Sequence, residues 1–202
     1  REPILDFAFE DAWQPATDGY GFSLVIRNEN APLSSWANPG SWRASTERGG
    51  SPGRGDAPPQ YLAPVVISEV LTHTDLPELD AIELFNPTGT PAPIGGWFLT
   101  DERDEPRKYV IPAGTMIPAG GFRLFTEADY NAGGRNSFAL SSLGEEVWLF
   151  SGDGTNLTGY CHGFEFGAQT NSVSFGRHVT SDGREHLVAQ KRKTLGSLNS
   201  GP

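Results

Sequence analysis

Between residues 65 and 101 the chain carries three apolar runs, each only as long as a β-strand. They are VVISEV (residues 65–70), AIELFNP (81–87) and GWFLTD (96–101), separated by clusters of Pro, Gly, Asp and Thr. Each is rich in β-branched or aromatic residues and bounded by turn formers, a pattern that suits strands and works against helices. In the second run Ile82 and Leu84 fall on one face of a strand, with Glu83 and Phe85 on the other. No long segment elsewhere repeats apolar residues at i, i+3, i+4 and i+7. With 25 Gly and 16 Pro in 202 residues, many short strands joined by tight turns are the natural outcome. An all-β fold is expected.

Further runs extend the pattern. YVIPAGTMIPAGGFRL (109–124) sets two Pro-flanked turns before a strand, and FALSSLGEEVWLF (138–150) turns at Ser142-Leu143-Gly144 into a strand expected to be buried on both faces. Residues 158–166, 173–179 and 186–189 supply the last strands. The succession of ISEV, IELFN and IGGWFLTD, then PAGTMIPAGGFRL and the GEEVWLF strand, resembles the lamin-tail domain family, in particular its bacterial branch. That resemblance implies an immunoglobulin-like β-sandwich of roughly eight or nine strands. It also implies binding or architectural roles rather than chemistry.

Residues 1–57 carry an extra strand segment. ILDFAF (4–9) alternates like a half-buried strand, and Asp18-Gly19 leads into a strand over residues 22–26. The stretch that follows is rich in Pro, Gly, Ser and Asn, and reads as coil anchored by its tryptophans. NSVSFGR (171–177) can be laid on YGFSLVI (20–26), with Ser174 on Ser23 and Phe175 on Leu24. A small-residue tail follows each, GGSPGRGD in the first case and TLGSLNSGP in the second. Trp13, Asp18, Gly19, Gly21, Ser23, Leu24, Trp42, Ser45 and the run from Gly49 to Gly53 stand where the ends of bacterial lamin-tail domains carry such residues. Residues 1–57 are therefore expected to be the last strands of an upstream copy, 58–63 a linker and 64–202 a complete domain. The alternative is one larger sandwich that includes residues 1–57. The start at Arg1, with the sole Met internal, suggests a piece of a longer protein.

The formal net charge of −10 repels nucleic-acid phosphates and anionic lipid, so neither is an expected partner. Lys191-Arg192-Lys193 is a short basic run that reads as a solvated loop. One cysteine, Cys161, allows no disulfide within the chain. No signal peptide and no apolar run of membrane-spanning length is present.

Candidate sites are few. The carboxylates of Asp101, Glu102, Asp104 and Glu105 suit calcium, the one cofactor to weigh, but Arg103, Arg107 and Lys108 share their loop. Without a D-x-D-x-D-G spacing, that loop reads first as solvated surface. Trp36, Trp42 and Tyr130 lie in loop-like contexts and are candidate binding aromatics, while Trp97 and Trp148 read as core. Arg54-Gly55-Asp56 spells an adhesion tripeptide, set in a Gly-rich coil where such triplets arise easily. Asn156-Leu157-Thr158 is a glycosylation triplet on a loop. His73, His162, His178 and His186 lack any metal-binding spacing. Cys161 and His162 are neighbours on one strand and face opposite ways. Ser181, Asp182 and His186 crowd a hairpin turn, and there is no nucleophile elbow or P-loop.

The expectation is a non-catalytic lamin-tail module of a secreted or cell-surface bacterial multidomain protein, either binding a protein or ligand or spacing a tandem array. Its partners would be neighbouring copies or other extracellular proteins, with self-association through residues 1–57. An accessory domain that targets a secreted hydrolase or nuclease to its substrate is the alternative.

Overall fold

The computed structural model describes residues 6–59 and 61–202. Among them are thirteen short strands and one single-turn helix. The chain divides into two compact units. The first runs up to Leu62 and includes Leu157–Cys161, and the second comprises Ala63–Asn156 and His162–Pro202.

In the first unit, β1 (Leu24–Ile26) and β2 (Trp42–Ala44) form an antiparallel pair that matches Leu24 with Ala44 and Ile26 with Trp42. Single 3₁₀ turns at Leu33–Ser35 and Pro39–Ser41 shape the connection between them. The strand expected over residues 4–9 begins outside the described residues, and residues 6–9 form no strand. Phe7 instead stacks on Trp13 and Trp42, and Phe9 is exposed. Gly50, with φ of +70° and a backbone pressed against Ser23, is a position only glycine fits.

The second unit has two larger sheets. One consists of β3 (Val66–Leu71), β4 (Ala81–Phe85), β9 (Phe122–Thr126), β12 (Phe175–Val179) and β13 (Glu185–Ala189), in the spatial order β13-β12-β3-β4-β9. The other consists of β6 (Phe98–Thr100), β7 (Tyr109–Val110), β10 (Gly144–Gly152) and β11 (Leu157–Gly167), in the order β11-β10-β6-β7. The strands β5 (Ala92–Pro93) and β8 (Met116–Ile117) pair separately. The pairings β3–β4, β4–β9, β3–β12, β12–β13, β6–β7, β6–β10 and β5–β8 are all antiparallel. Ile67, Ile82, Leu84, Leu99, Phe125, Leu149 and Phe150 fill the core of this sandwich. Within the strand expected to be buried on both faces, Trp148 is half-exposed, whereas Val147, Leu149 and Phe150 are buried.

The middle of the five-stranded sheet is buried on both sides. Every residue of β3 is buried, including Glu69, and so is Glu83 on β4. These glutamates are direct cross-strand partners. The segment after β13 covers them. Thr194 donates its N–H (2.9 Å) and its hydroxyl (2.6 Å) to Glu69, and Ser174 donates its hydroxyl to the same carboxylate. Gly196 N–H donates to Glu83. Asn199 donates its amide to the carbonyls of Ser68 (2.9 Å) and Arg177 (3.0 Å), holding the tail along the sheet. Two buried carboxylates thus act as a clamp on the C-terminal tail.

Asn86, just past β4, has a comparable role at the other end of the strand. Its buried side-chain amide donates to the carbonyls of Thr90 (2.8 Å) and Pro118 (3.0 Å) and accepts from Thr88 N–H (3.0 Å). It ties together two loops that have no ladder to satisfy them.

Candidate functional site

In the first unit, Trp36 and Trp42 meet edge to face with centroids 5.6 Å apart, and Phe7 stacks on Trp42 at 5.5 Å. Both tryptophans are half-buried. Trp42 donates its indole N–H to the Trp36 carbonyl at 2.7 Å, whereas the indole N–H of Trp36 is buried without a partner. The Trp42 carbonyl accepts from Arg27 Nε (2.9 Å) and Gln14 Nε2 (3.2 Å). Arg27 and Gln14 line a groove of about 760 Å³ with Arg43, Tyr61, Thr158 and Tyr160. An aromatic patch beside a groove of mixed polarity can stack on and hydrogen-bond a partner.

Tyr130 does not join it. The structure places this residue at the end of α1 (Glu127–Tyr130), 1% exposed and stacked on Phe138 with centroids 4.6 Å apart. Burial pushes its hydroxyl well above the usual range, and that hydroxyl has no hydrogen-bond partner. Tyr130 is a core residue, and its loop-like context in sequence comes from a helix of a single turn. Of the tryptophans read as core, Trp97 is buried just before β6.

The acidic loop is tied down by its own cations. Lys108 Nζ sits 2.8 Å from Asp101 and 2.9 Å from Glu102, and these two hydrogen bonds keep its ammonium above its ordinary range although burial opposes the charge. Arg103 lies over the Trp148 ring at 5.0 Å, and its N–H donates to Glu146 at 2.7 Å. Asp104 and Glu105 point into solvent-exposed positions. Among the described residues no group of three or more His, Cys, Asp or Glu is placed to hold a metal ion.

The remaining motifs are absorbed into local structure. Asp56 of the Arg-Gly-Asp triplet pairs with Arg43, and only 2% of its side chain is accessible. Burial opposes its charge, but hydrogen bonds from Arg43, Thr46 N–H and Ser51 outweigh this and hold the carboxyl below its usual range. Asp182 accepts from Thr180 inside the β12–β13 turn. His162 accepts the Ile67 N–H on Nδ1 at 3.0 Å, so its Nε2 carries the proton it shares with Glu185 at 2.9 Å. Arg177 grips the same carboxylate from β12 at 2.9 and 2.6 Å. The hydrogen bonds of Arg177 and His162 depress the Glu185 pKa far below the usual carboxylate range. Lys193 of the basic run pairs with Glu78. Cys161 is buried.

The residues that organise the second unit, Glu69, Glu83 and Asn86, lie inside the ISEV and IELFN runs. The signal that marks them in sequence is an acid or amide in the middle of an apolar strand, where no solvated face is available.

Fold and sites together define a small two-sheet β module with surfaces for contact. The family model for the lamin tail domain matches residues 58–162, more than half of the chain. The chain belongs to the lamin tail domain family. Comparisons with curated proteins and with solved structures returned no match.

Proposed function

We propose that this chain is a lamin-tail module of immunoglobulin-like build, from the bacterial branch of the family. In this reading it serves as a non-catalytic binding or spacing unit within a tandem array on a secreted or cell-surface protein. One observation carries the reading: the hairpin that ends the second unit recurs in the first. Leu24 pairs with Ala44 and Phe175 with Ala189. One residue outward, Ser45 N–H donates to Ser23 O at 2.8 Å and Gln190 N–H to Ser174 O at 2.9 Å. A turn follows in both, closed by Arg54 N–H on Ser51 O and by Ser197 N–H on Thr194 O, with Gly53 and Gly196 at φ of +78° and +84°. Residues 1–57 then form the closing part of a preceding copy, and the domain proper runs over 64–202.

The reading needs no cofactor, and its partners are other lamin-tail copies or extracellular proteins. The residues encoded upstream of Arg1 in the parent gene are expected to supply strands of the ISEV and IELFN type. A parent that encodes no such strands upstream overturns the tandem arrangement. Protease treatment of intact host cells should cleave the parent protein, and full protection there would sink the surface assignment.

The Trp36–Trp42 patch and its neighbouring groove favour a second reading, that of an accessory domain that holds a secreted hydrolase or nuclease on its substrate. Titration with soluble polysaccharides, read by tryptophan fluorescence, separates the two. Saturable quenching that is lost in Trp36→Ala supports the accessory role.

A further inference from the structure

The two occurrences of the terminal hairpin differ in what they hold. In the second unit the hydroxyl of Ser174, the N–H and hydroxyl of Thr194 and the N–H of Gly196 converge on Glu69 and Glu83. By register and turn, the counterparts in the first unit are Ser23, Ser51 and Gly53. The Ser51 hydroxyl is held by Asp56 of its own unit, and among the described residues no carboxylate meets Ser23 or Gly53. Ser174 is fully buried whereas Ser23 is exposed, and Gly53 is exposed as well. The strand edge tells the same story. β12 lies between β13 and β3, pairing Phe175 with Val70 and Gly176 with Glu69. Among the described residues β1 is hydrogen-bonded to β2 alone, and its three residues are half-exposed.

We propose that the outer edge of β1, with Ser23 and Gly53, is the receiving half of a carboxylate clamp. The occupant is a two-stranded segment with two facing glutamates, like β3 and β4, from the preceding lamin-tail copy of the same polypeptide. Its first strand adds antiparallel to β1, with one glutamate opposite Val25, as Glu69 lies opposite Gly176. Its two carboxylates take the hydroxyl of Ser23 and the N–H of Gly53. Chain order favours this source over a second molecule. In the second unit the glutamate strands precede the hairpin that clamps them, and the chain's own Glu69 and Glu83 are already engaged. The clamp would make each junction between copies depend on buried charge-assisted hydrogen bonds, which are stronger than neutral ones and demanding in geometry.

This inference rests on the tandem reading, and the test is chosen so that the two can fail separately. A synthetic peptide with the sequence of residues 65–86 serves as the probe for the missing strands, added to the full chain. Binding is read by amide hydrogen exchange at Leu24, Val25 and Ile26. Protection of these amides is expected, and at least a tenfold loss of affinity is expected when both peptide glutamates are replaced by glutamine. The chain variant Ser23→Ala should also lose affinity for the glutamate peptide. No protection at peptide concentrations up to about 1 mM, where binding free energy is down to about 4 kcal/mol, overturns the clamp. Equal binding by the glutamate and glutamine peptides also overturns it. Concentration-dependent dimerisation of the chain without peptide, with β1 protected, would assign the edge to a second molecule and overturn the stated source. The tandem reading itself is judged by the upstream gene sequence, whatever the peptide does.

Discussion

At the scale of single residues, the buried acids set the chemistry of the second unit. Burial raises the Glu83 pKa to about 7, helped by the nearby Glu69 charge and opposed by the hydrogen bond from Gly196 N–H and by Ser68. One of its oxygens, Oε1, has no partner at hydrogen-bond distance. Because the folded value lies above the ordinary 4.5, the folded state binds the extra proton between about pH 4.5 and 7. The contribution of this group to stability is therefore complete below that window and lost as pH rises through 7. A shift of this size corresponds to something on the order of 3 kcal/mol. Glu83→Gln keeps an acceptor for Gly196 and cannot ionise. Its melting temperature should gain on the wild type by about 5–10 °C between pH 5 and pH 8, given the usual relation of stability to melting in chains of this length. Thermal melts of the two proteins across that range check it, and a constant difference would show that Glu83 does not titrate there.

At the scale of elements, glycines decide where rings can lie. Gly163 on β11 sits under the Trp148 ring of β10, and a Cβ there would fall 2.3 Å from ring carbons and 2.6 Å from the Val147 carbonyl. The ring is held from other sides by Glu146, which accepts its indole N–H at 2.8 Å, and by Arg103 above it. Gly163→Ala must displace the ring or the strand, an overpacking that typically costs about 1–3 kcal/mol. Urea titration should show a lower midpoint with an unchanged slope, and an unchanged midpoint would mean that Trp148 moves freely. The alternation of Ile82 and Leu84 with Glu83 makes β4 legible in the sequence as a strand. It also places Glu83 with Phe85 on the other face, but says nothing of what covers that face. Gly196, whose N–H donates to Glu83, lies 113 positions away, so no local periodicity announces it. Residues 4–9, by contrast, misled. Their alternation suits a strand, yet residues 6–9 have no ladder partner, and Phe7 joins the tryptophans instead. Trp36 and Trp42 were legible as candidate binding aromatics, although Trp42 opens β2 rather than lying in coil, whereas Tyr130 was hidden because one helical turn is too short to show a period.

At the scale of the molecule, the two units differ in how much they bury. Buried apolar side chains of the first unit include Ala16, Tyr20 and Phe22, whereas the second buries the centre of β3 and β4 on both faces and locks it with the tail. Free energy of local opening follows buried apolar contact and hydrogen-bond shielding, so stability should be graded along the chain. Amides of β1 and β2 are expected to exchange at least about tenfold faster than those of β3 and β4, which open only with the whole second unit. Hydrogen exchange followed by mass spectrometry at neutral pH resolves the two sets, because their peptides do not overlap in sequence. Equal protection would mean that the first unit unfolds only together with the second and that its exposed β1 edge costs it nothing. Among the described residues the outer edge of β1 has no ladder partner, whereas that of β12 is covered by β3, and water competes for the ladder groups of β1.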